Sequence, residues 1–152
     1  MTVEVEITGM DEVERKLKAL SNPRLAKNAA RRSARKAMVI VRNAARNNAK
    51  AIDDKNSDEK IWKNIAIAAG KSRDANAIVM RVGVRGGASF SNPNPPSLSG
   101  GDTRHWRWIE FGSVHNPPVP FMRPALENNI QAVTDSFAQN FSAELDKELA
   151  KL

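Results

Sequence analysis

The chain has 152 residues, a formal net charge of +7 and no cysteine. Its length suits a single domain, residues 1–152, which would bury roughly 70% of the surface that the unfolded chain exposes. The lack of cysteine excludes disulfides, thiolate nucleophiles and cysteine-ligated zinc, and no run of about 20 apolar residues predicts a membrane-spanning helix. We therefore expect a protein that does not enter membranes and whose excess positive charge suits an acidic or phosphate-bearing partner.

The N-terminal third of the chain predicts one strand followed by two helices. Residues 3–9 alternate apolar and polar side chains, which is typical of a strand with one buried face. Residues 10–20 place apolar side chains at helical spacing. From Pro23 to about Ile52 the chain is rich in alanine and has no internal glycine or proline, which predicts a long helix with a Ser or Asn cap before Pro23.

The predicted long helix carries nine lysines or arginines and no acid between residues 24 and 50. At about 100° per residue, five of the arginines fall in one narrow stripe and small apolar residues lie opposite. We expect this stripe to face outward, either toward DNA phosphates without reading bases or toward a neighbouring subunit, with acids of the C-terminal helix as candidate partners. The arginine stripe comprises Arg24, Arg31, Arg35, Arg42 and Arg46, and the expected apolar side comprises Ala26, Ala30, Ala37, Ile40, Val41 and Ala44.

The middle of the chain predicts a hairpin and a long loop. Ile61, Ile65 and Ile67 indicate one strand, residues 78–84 alternate as a second strand, and the polar residues 70–76 join them. Residues 85–103 consist mainly of glycine, proline, serine and asparagine. A loop of this length in a compact domain is usually functional or mobile, so we expect it to be flexible.

Residues 108–124, which we call the joint, have the composition of a stiff connection. Residues 104–111 are aromatic and predict either a last strand or a short helix, and three prolines follow Gly112. Proline fixes its own φ and extends the residue before it, so such a segment loses little entropy on docking. We expect Glu110 to form an ion pair with Arg107 or Arg123. The joint residues are Trp108, Glu110, Phe111, Gly112, Pro117, Pro118, Pro120, Phe121, Arg123 and Pro124.

The C-terminal part of the chain predicts a long amphipathic helix that begins at Pro124. Its apolar residues recur every three or four positions over about seven turns, a spacing suited to covering a sheet. These residues are Leu126, Ile130, Val133, Phe137, Phe141, Leu145 and Leu149. Together the elements predict an α+β fold, with a small, mainly antiparallel sheet packed against the long basic helix and the long C-terminal helix.

No motif in the chain indicates catalysis. His105 and His115 lack the HExxH spacing of a zinc site, the serines form no G-x-S-x-G elbow, and the glycine pairs lack the P-loop lysine. We therefore expect neither an enzyme nor a metal or cofactor site.

The pattern of an aromatic strand, Glu-Phe-Gly-Ser, a proline-bearing loop and Pro-Phe-Met-Arg-Pro-Ala-Leu-Glu resembles the tail-completion, or head-tail joining, family of lambdoid long-tailed phages. The likeness extends more weakly over most of the chain. Two features depart from the family: the segment 60–65 lacks the Gly-x-Leu-x-x-Ser turn of many relatives, and the loop 85–103 is long.

This resemblance implies a structural virion protein of the neck or upper tail, assembled in the host cytoplasm. It implies a homo-oligomeric ring, hexameric when assembled, around the DNA channel, with tail-tube, terminator and connector proteins as partners and no membrane. Two alternatives stay open: a tail terminator ring protein, and a free nucleic-acid-binding protein that uses the basic helix 24–50 without sequence specificity.

Overall fold

The computed structural model describes residues 9–75, 77–86 and 97–152, and in these ranges the chain forms six helices and two strands. The helices are α1 (Met10–Leu20), α2 (Pro23–Ala51), α3 (Ile61–Asn64), α4 (Trp106–Phe111), α5 (Arg123–Glu127) and α6 (Ile130–Leu149), and the strands are β1 (Ile65–Ala69) and β2 (Met80–Val84). The strands pair in an antiparallel sheet, and with two long helices they confirm the α+β class. The strand predicted at residues 3–9 falls, apart from Gly9, outside the described residues. None of the helices in these ranges is both long and apolar enough to span a bilayer.

Helix α2 begins where its sequence signals predicted. The side-chain oxygen of Asn22 accepts hydrogen bonds from the backbone N–H groups of Arg24 and Leu25, at 3.1 and 3.3 Å. Pro23 occupies the first helical position, where a missing N–H has no cost. Asn22 is therefore the cap, and the run of alanines behind it sustains 29 helical residues.

The buried positions of α2 form a row of every fourth residue. Because a turn contains 3.6 residues, each step of four moves about 40° around the helix, so the buried side changes along its length. The sequence predicted one fixed apolar side. Of the six residues predicted for that side, only Ala37 and Val41 are buried. The row comprises Ala29, Ser33, Ala37, Val41, Ala45 and Ala49.

The structure corrects one prediction and decides between two alternatives in another segment. Ile61 does not belong to the first strand but to the single turn α3, since Ile61 and Ile65 are four residues apart, a spacing that suits a helix as well as a strand. Residues 104–111 contain no strand; the helical alternative is correct, and α4 occupies residues 106–111. Trp106 and Trp108 therefore do not share the face that a strand would have given them.

The predicted C-terminal helix is interrupted near its start. Asn128 and Asn129 separate α5 from α6, and Asn129 has a non-helical backbone, with φ −126° and ψ 12°. Asparagine side chains compete for backbone hydrogen bonds, so two in succession favour a break. Leu126 consequently lies outside the apolar stripe and is exposed, whereas Phe141 and Leu145 are buried as predicted.

The fold comprises two compact units. Unit 1 is formed by Met1–Ile40, Ala68–Arg81 and Asn129–Leu152, and unit 2 by Val41–Ile67 and Val82–Asn128. The prediction of a single domain stays a prediction. The core of unit 1 joins α1, the first half of α2 and α6 through Val13, Leu20, Ala29, Phe141 and Leu145.

Unit 1 also contains an ionic layer that joins α2 to α6. Glu144 and Glu148, both buried, accept hydrogen bonds from Arg32 at 2.9 and 3.1 Å, and Glu144 accepts a further bond from Lys36 at 2.8 Å. The bonds from Lys36 and Arg32 lower the pKa of Glu144 to about 2. Glu144 and Glu148, which we expected as candidate partners for a neighbouring subunit, therefore form ion pairs within the chain.

The depressed pKa of Glu144 makes stability depend on pH in a defined window. Its contribution is complete above the ordinary value of 4.5 and is lost as pH falls toward about 2, because the unfolded chain takes up the proton first. We expect Glu144→Gln to lower the free energy of unfolding at pH 7 by about 2 kcal/mol and to flatten the acid dependence in this window. Chemical denaturation between pH 7 and pH 2 measures both effects.

Glu127→Gln is the matched control, because Glu127 is exposed and forms no ion pair within the described chain. An equal flattening in both variants would contradict the role given to Glu144.

Candidate interaction site

The joint combines a fully buried interior with an exposed apolar exterior. Phe121 and Glu110 are buried, at 0% and 1% exposure. By contrast, Trp108 and Phe111 are each 55% exposed and Val114 is 98% exposed. The segment is therefore anchored from inside unit 2 while it presents large apolar side chains outward.

The anchor is the carboxylate of Glu110. It accepts backbone N–H bonds from three successive residues, Phe121 at 2.7 Å, Met122 at 2.9 Å and Arg123 at 2.9 Å. The guanidinium of Arg123 adds a bond to the carboxylate at 3.2 Å and another to the Glu110 carbonyl at 2.9 Å. The predicted ion pair of Glu110 is thus confirmed with Arg123 as its partner, and most of its bonds go to backbone that the sequence did not single out.

The hydrogen bonds outweigh the effect of burial on the ionisation of Glu110. Burial raises the pKa of the carboxyl, but the three backbone N–H groups and the Arg123 guanidinium together bring the pKa below its ordinary value of 4.5. A buried carboxylate is tolerated when its lone pairs are satisfied in this way. Glu110 therefore stabilises the fold above its ordinary pKa, and this contribution is lost as pH falls through its lowered folded pKa.

Backbone hydrogen bonds also fix the turn that connects Glu110 to Phe121. Gly112 has φ +80°, and a Cβ placed there would lie 2.9 Å from Pro118 Cδ, so glycine is required for both reasons. The backbone N–H of Ser113 bonds to the Asn116 carbonyl at 2.9 Å, and that of Val119 bonds to the Ile109 carbonyl at 2.8 Å. These contacts bring the proline segment back toward α4.

A cation–π contact lies on the outside of the joint. The guanidinium carbon of Arg123 lies 5.0 Å from the centre of the Phe111 ring. Since Arg123 also binds Glu110, it connects the buried anchor to the exposed aromatic side chain. Pro117, Pro118 and Pro120 are exposed, and Pro124 is half-buried within the first turn of α5.

Helix α2 supports the joint through a residue that sequence reasoning missed. Asn48 donates a side-chain hydrogen bond to the carbonyl of Phe121 at 3.2 Å. Helix α2 also contains Asn28, Asn43 and Asn47, so residue type alone gave no signal that singles out Asn48.

A second missed residue, Asn64, fixes the far end of the 85–103 segment. It is buried, donates to Gly101 and Thr103 at 3.0 and 2.7 Å, and accepts from the Gly100 N–H at 2.9 Å. A Cβ on Gly100 would clash with the Lys60 carbonyl, so glycine is required there. Gly100, Gly101 and Thr103 are thus held within unit 2, which differs from the flexibility predicted for residues 85–103. Residues 87–96 of that loop lie outside the described ranges.

The arginine stripe divides into two groups. Arg24, Arg31 and Arg35 are exposed, and Arg42 is half-buried beside Asn43. Arg46 differs from the prediction, because its guanidinium donates to the Ile65 carbonyl at 3.1 and 2.8 Å. Burial, with the nearby charge of Arg42, lowers the pKa of Arg46. The changing buried side of α2 explains this difference, since by Ala45 and Ala49 the buried row has moved next to the stripe.

Removing the Glu110 charge tests the anchor. We expect Glu110→Gln to lower the free energy of unfolding by about 2–3 kcal/mol, because its NH₂ group would face backbone donors that then lack an acceptor. Arg123→Gln leaves the three backbone bonds in place, so we expect it to cost about 1 kcal/mol. Denaturant unfolding of both variants measures the difference, and equal losses would contradict the primary role of the backbone bonds.

Comparison with known families places most of the chain in a family. Residues 11–112 match the model of the HK97-gp10-like family, described as "Bacteriophage HK97-gp10, putative tail-component". Comparisons with curated proteins and with solved structures give no significant match. The family match covers about two thirds of the chain, from the start of α1 to Gly112 of the joint. The chain therefore belongs to the HK97-gp10-like family of bacteriophage tail components.

Proposed function

We propose that this protein is a non-enzymatic structural component of the phage neck or upper tail that acts in tail completion and head-tail joining. Membership of a tail-component family supports a virion protein that contacts other tail proteins. The finer role rests on one observation, a joint whose backbone is fixed from inside while its apolar side chains are exposed.

The joint has the properties of a preorganised contact surface. Trp108, Phe111 and Val119 are all at least 46% exposed, and large aromatic side chains dominate the binding energy of many interfaces. Because hydrogen bonds already fix the backbone beneath them, docking these side chains costs little further conformational entropy. A surface of this kind suits repeated contacts between identical or neighbouring subunits.

The proposed assembly is a homo-oligomeric ring around the DNA channel, hexameric in the mature particle. Its neighbours are the tail-tube, terminator and connector proteins, and it assembles in the host cytoplasm before it enters the virion. The exposed arginines Arg24, Arg31 and Arg35 are candidates for contact with genome DNA inside such a ring.

A free nucleic-acid-binding protein is the second candidate, and those three exposed arginines favour it. Their guanidinium groups have no carboxylate partner within the described chain. Neutralising each phosphate on duplex DNA steepens the salt dependence of binding by about 0.9 in a log-log plot. Binding to free duplex with a slope that falls when all three arginines become glutamine would support this candidate over the structural one.

Loss of the protein distinguishes a completion factor from a terminator. Tails of normal length that fail to join heads indicate completion, whereas tubes of uncontrolled length indicate a terminator.

The exposed face of the joint provides the direct test of the proposed role. We expect Trp108→Ser combined with Phe111→Ser to leave the free energy of unfolding within about 1 kcal/mol of the parent, because both side chains are more than half exposed. We expect the same variant to prevent tails from joining heads in a reconstitution assay, since the surface lost is the proposed contact.

Leu152→Ser is the control, because it removes an exposed apolar side chain that lies outside the joint. Full joining activity in the double variant would overturn the proposed surface.

A further inference from the structure

A groove in unit 1 runs along the first turns of α2, far in sequence from the joint. Its volume is about 760 Å³, and its apolar lining includes Leu17, Ala26, Ala30, Ile78 and Phe141. A recess of about 440 Å³ adjoins it, shares Lys27, Arg31, Ala75 and Ile78, and includes one acid, Asp74, in its own lining. The groove spans residues 23–31 of α2, about 12 Å, which is the length of two helical turns.

The rim of this groove is positively charged. Arg24, Lys27 and Arg31 line it, and the lining contains no aspartate or glutamate among the described residues. Lys27 donates to the carbonyl of Ala75, and Arg31 makes only a long contact to Asn28 at 3.4 Å. None of the three has a carboxylate within ion-pair distance in the described part of the chain.

Other cations of α2 do have carboxylate partners. Arg32 and Lys36, on the neighbouring side of α2, both bind buried glutamates of α6. Within the described residues, the cations that face α6 thus have carboxylate partners, whereas Arg24, Lys27 and Arg31 around the groove have none at ion-pair distance. An occupant that completes the groove must bring its own negative charges.

We infer that this groove docks an acidic amphipathic segment of a partner protein, with apolar side chains on the floor and carboxylates against Arg24, Lys27 and Arg31. Charge complementarity and the apolar floor together select this occupant. A phosphate backbone would engage the cations but leave the apolar floor uncovered, so DNA fits the groove less well. The inference concerns unit 1 alone and does not depend on the proposed role of the joint. It assigns Arg24 and Arg31 to a protein partner in place of the DNA contact proposed for them in the ring.

Three helical peptides of about 14 residues, or four turns, provide the test. The first carries leucines on one face and glutamates on the other, the second replaces leucine with serine, and the third replaces glutamate with lysine. Titration into the isotope-labelled full chain, followed by the backbone amide signals, measures affinity and location together. We expect only the first peptide to bind, with signal changes centred on residues 24–31 and 77–80.

Charge reversal at the rim tests the electrostatic part. We expect Arg24→Glu with Arg31→Glu to weaken binding of the first peptide roughly tenfold. Arg35→Glu is the matched control, because Arg35 is exposed on the same helix but does not line the groove, and it should change binding less than twofold.

Three results would overturn the inference. The first is equal binding of the serine peptide, and the second is tighter binding of a short DNA duplex at the same amides. The third is a Kd weaker than about 1 mM for the leucine-glutamate peptide. The first two would identify a general polyanion surface in place of a protein groove.

Discussion

The buried carboxylate of Glu110 is the interaction on which the joint depends. An isolated charge in a protein interior is strongly unfavourable, so Glu110 is compatible with the fold only because three backbone N–H groups and one guanidinium surround it. The N–H groups in turn need this acceptor, because Arg123 is the first residue of α5, Phe121 and Met122 directly precede it, and no helical carbonyl lies before them. Each side satisfies the other, and the chain between residues 110 and 121 is closed into a defined loop.

The closed loop keeps the side chains that anchor the joint apart from the side chains that are exposed on its surface. Phe121 and Ala125 are buried inside unit 2, whereas the side chains of Trp108 and Phe111 in α4 are exposed to solvent. Arg123 contacts both the anchor and the outer aromatic ring. A tail component has to present the same surface in every copy, and a backbone fixed by buried hydrogen bonds meets that requirement.

Much of the fold follows from local signals in the sequence, whereas its polar contacts do not. The cap at Asn22 and the alanine-rich course of α2 are properties of neighbouring residues, and the structure confirms them. The predicted C-terminal stripe is confirmed in its second half, where Phe137, Phe141, Leu145 and Leu149 lie in or against the core of unit 1. The joint was identifiable from its prolines, and its ion pair from the charges near Glu110. The backbone bonds of Glu110 were not, because which N–H groups lie within reach of a carboxylate depends on the folded path of the chain.

The wrong predictions also arise because contacts in the folded chain cannot be deduced from local sequence patterns. A helical wheel assumes one fixed buried side, but the buried row of α2 moves around the helix, and Arg46 turns from an exposed charge into a donor to the Ile65 carbonyl. The spacing of Ile61 fits a strand, but Ile61 lies in the helical turn α3, which ends at the buried Asn64. The Asn128 and Asn129 break was visible in composition, but the apolar spacing around it concealed the interruption.

Hydrogen exchange at the backbone N–H groups of Phe121, Met122 and Arg123 tests the central claim most directly. If the Glu110 carboxylate holds them, all three exchange far more slowly than the amides of exposed residues such as Val114, and the protection is lost together in Glu110→Gln. Exchange of these three amides at the rate of an open chain would show that the joint is not fixed from within, and would contradict the account.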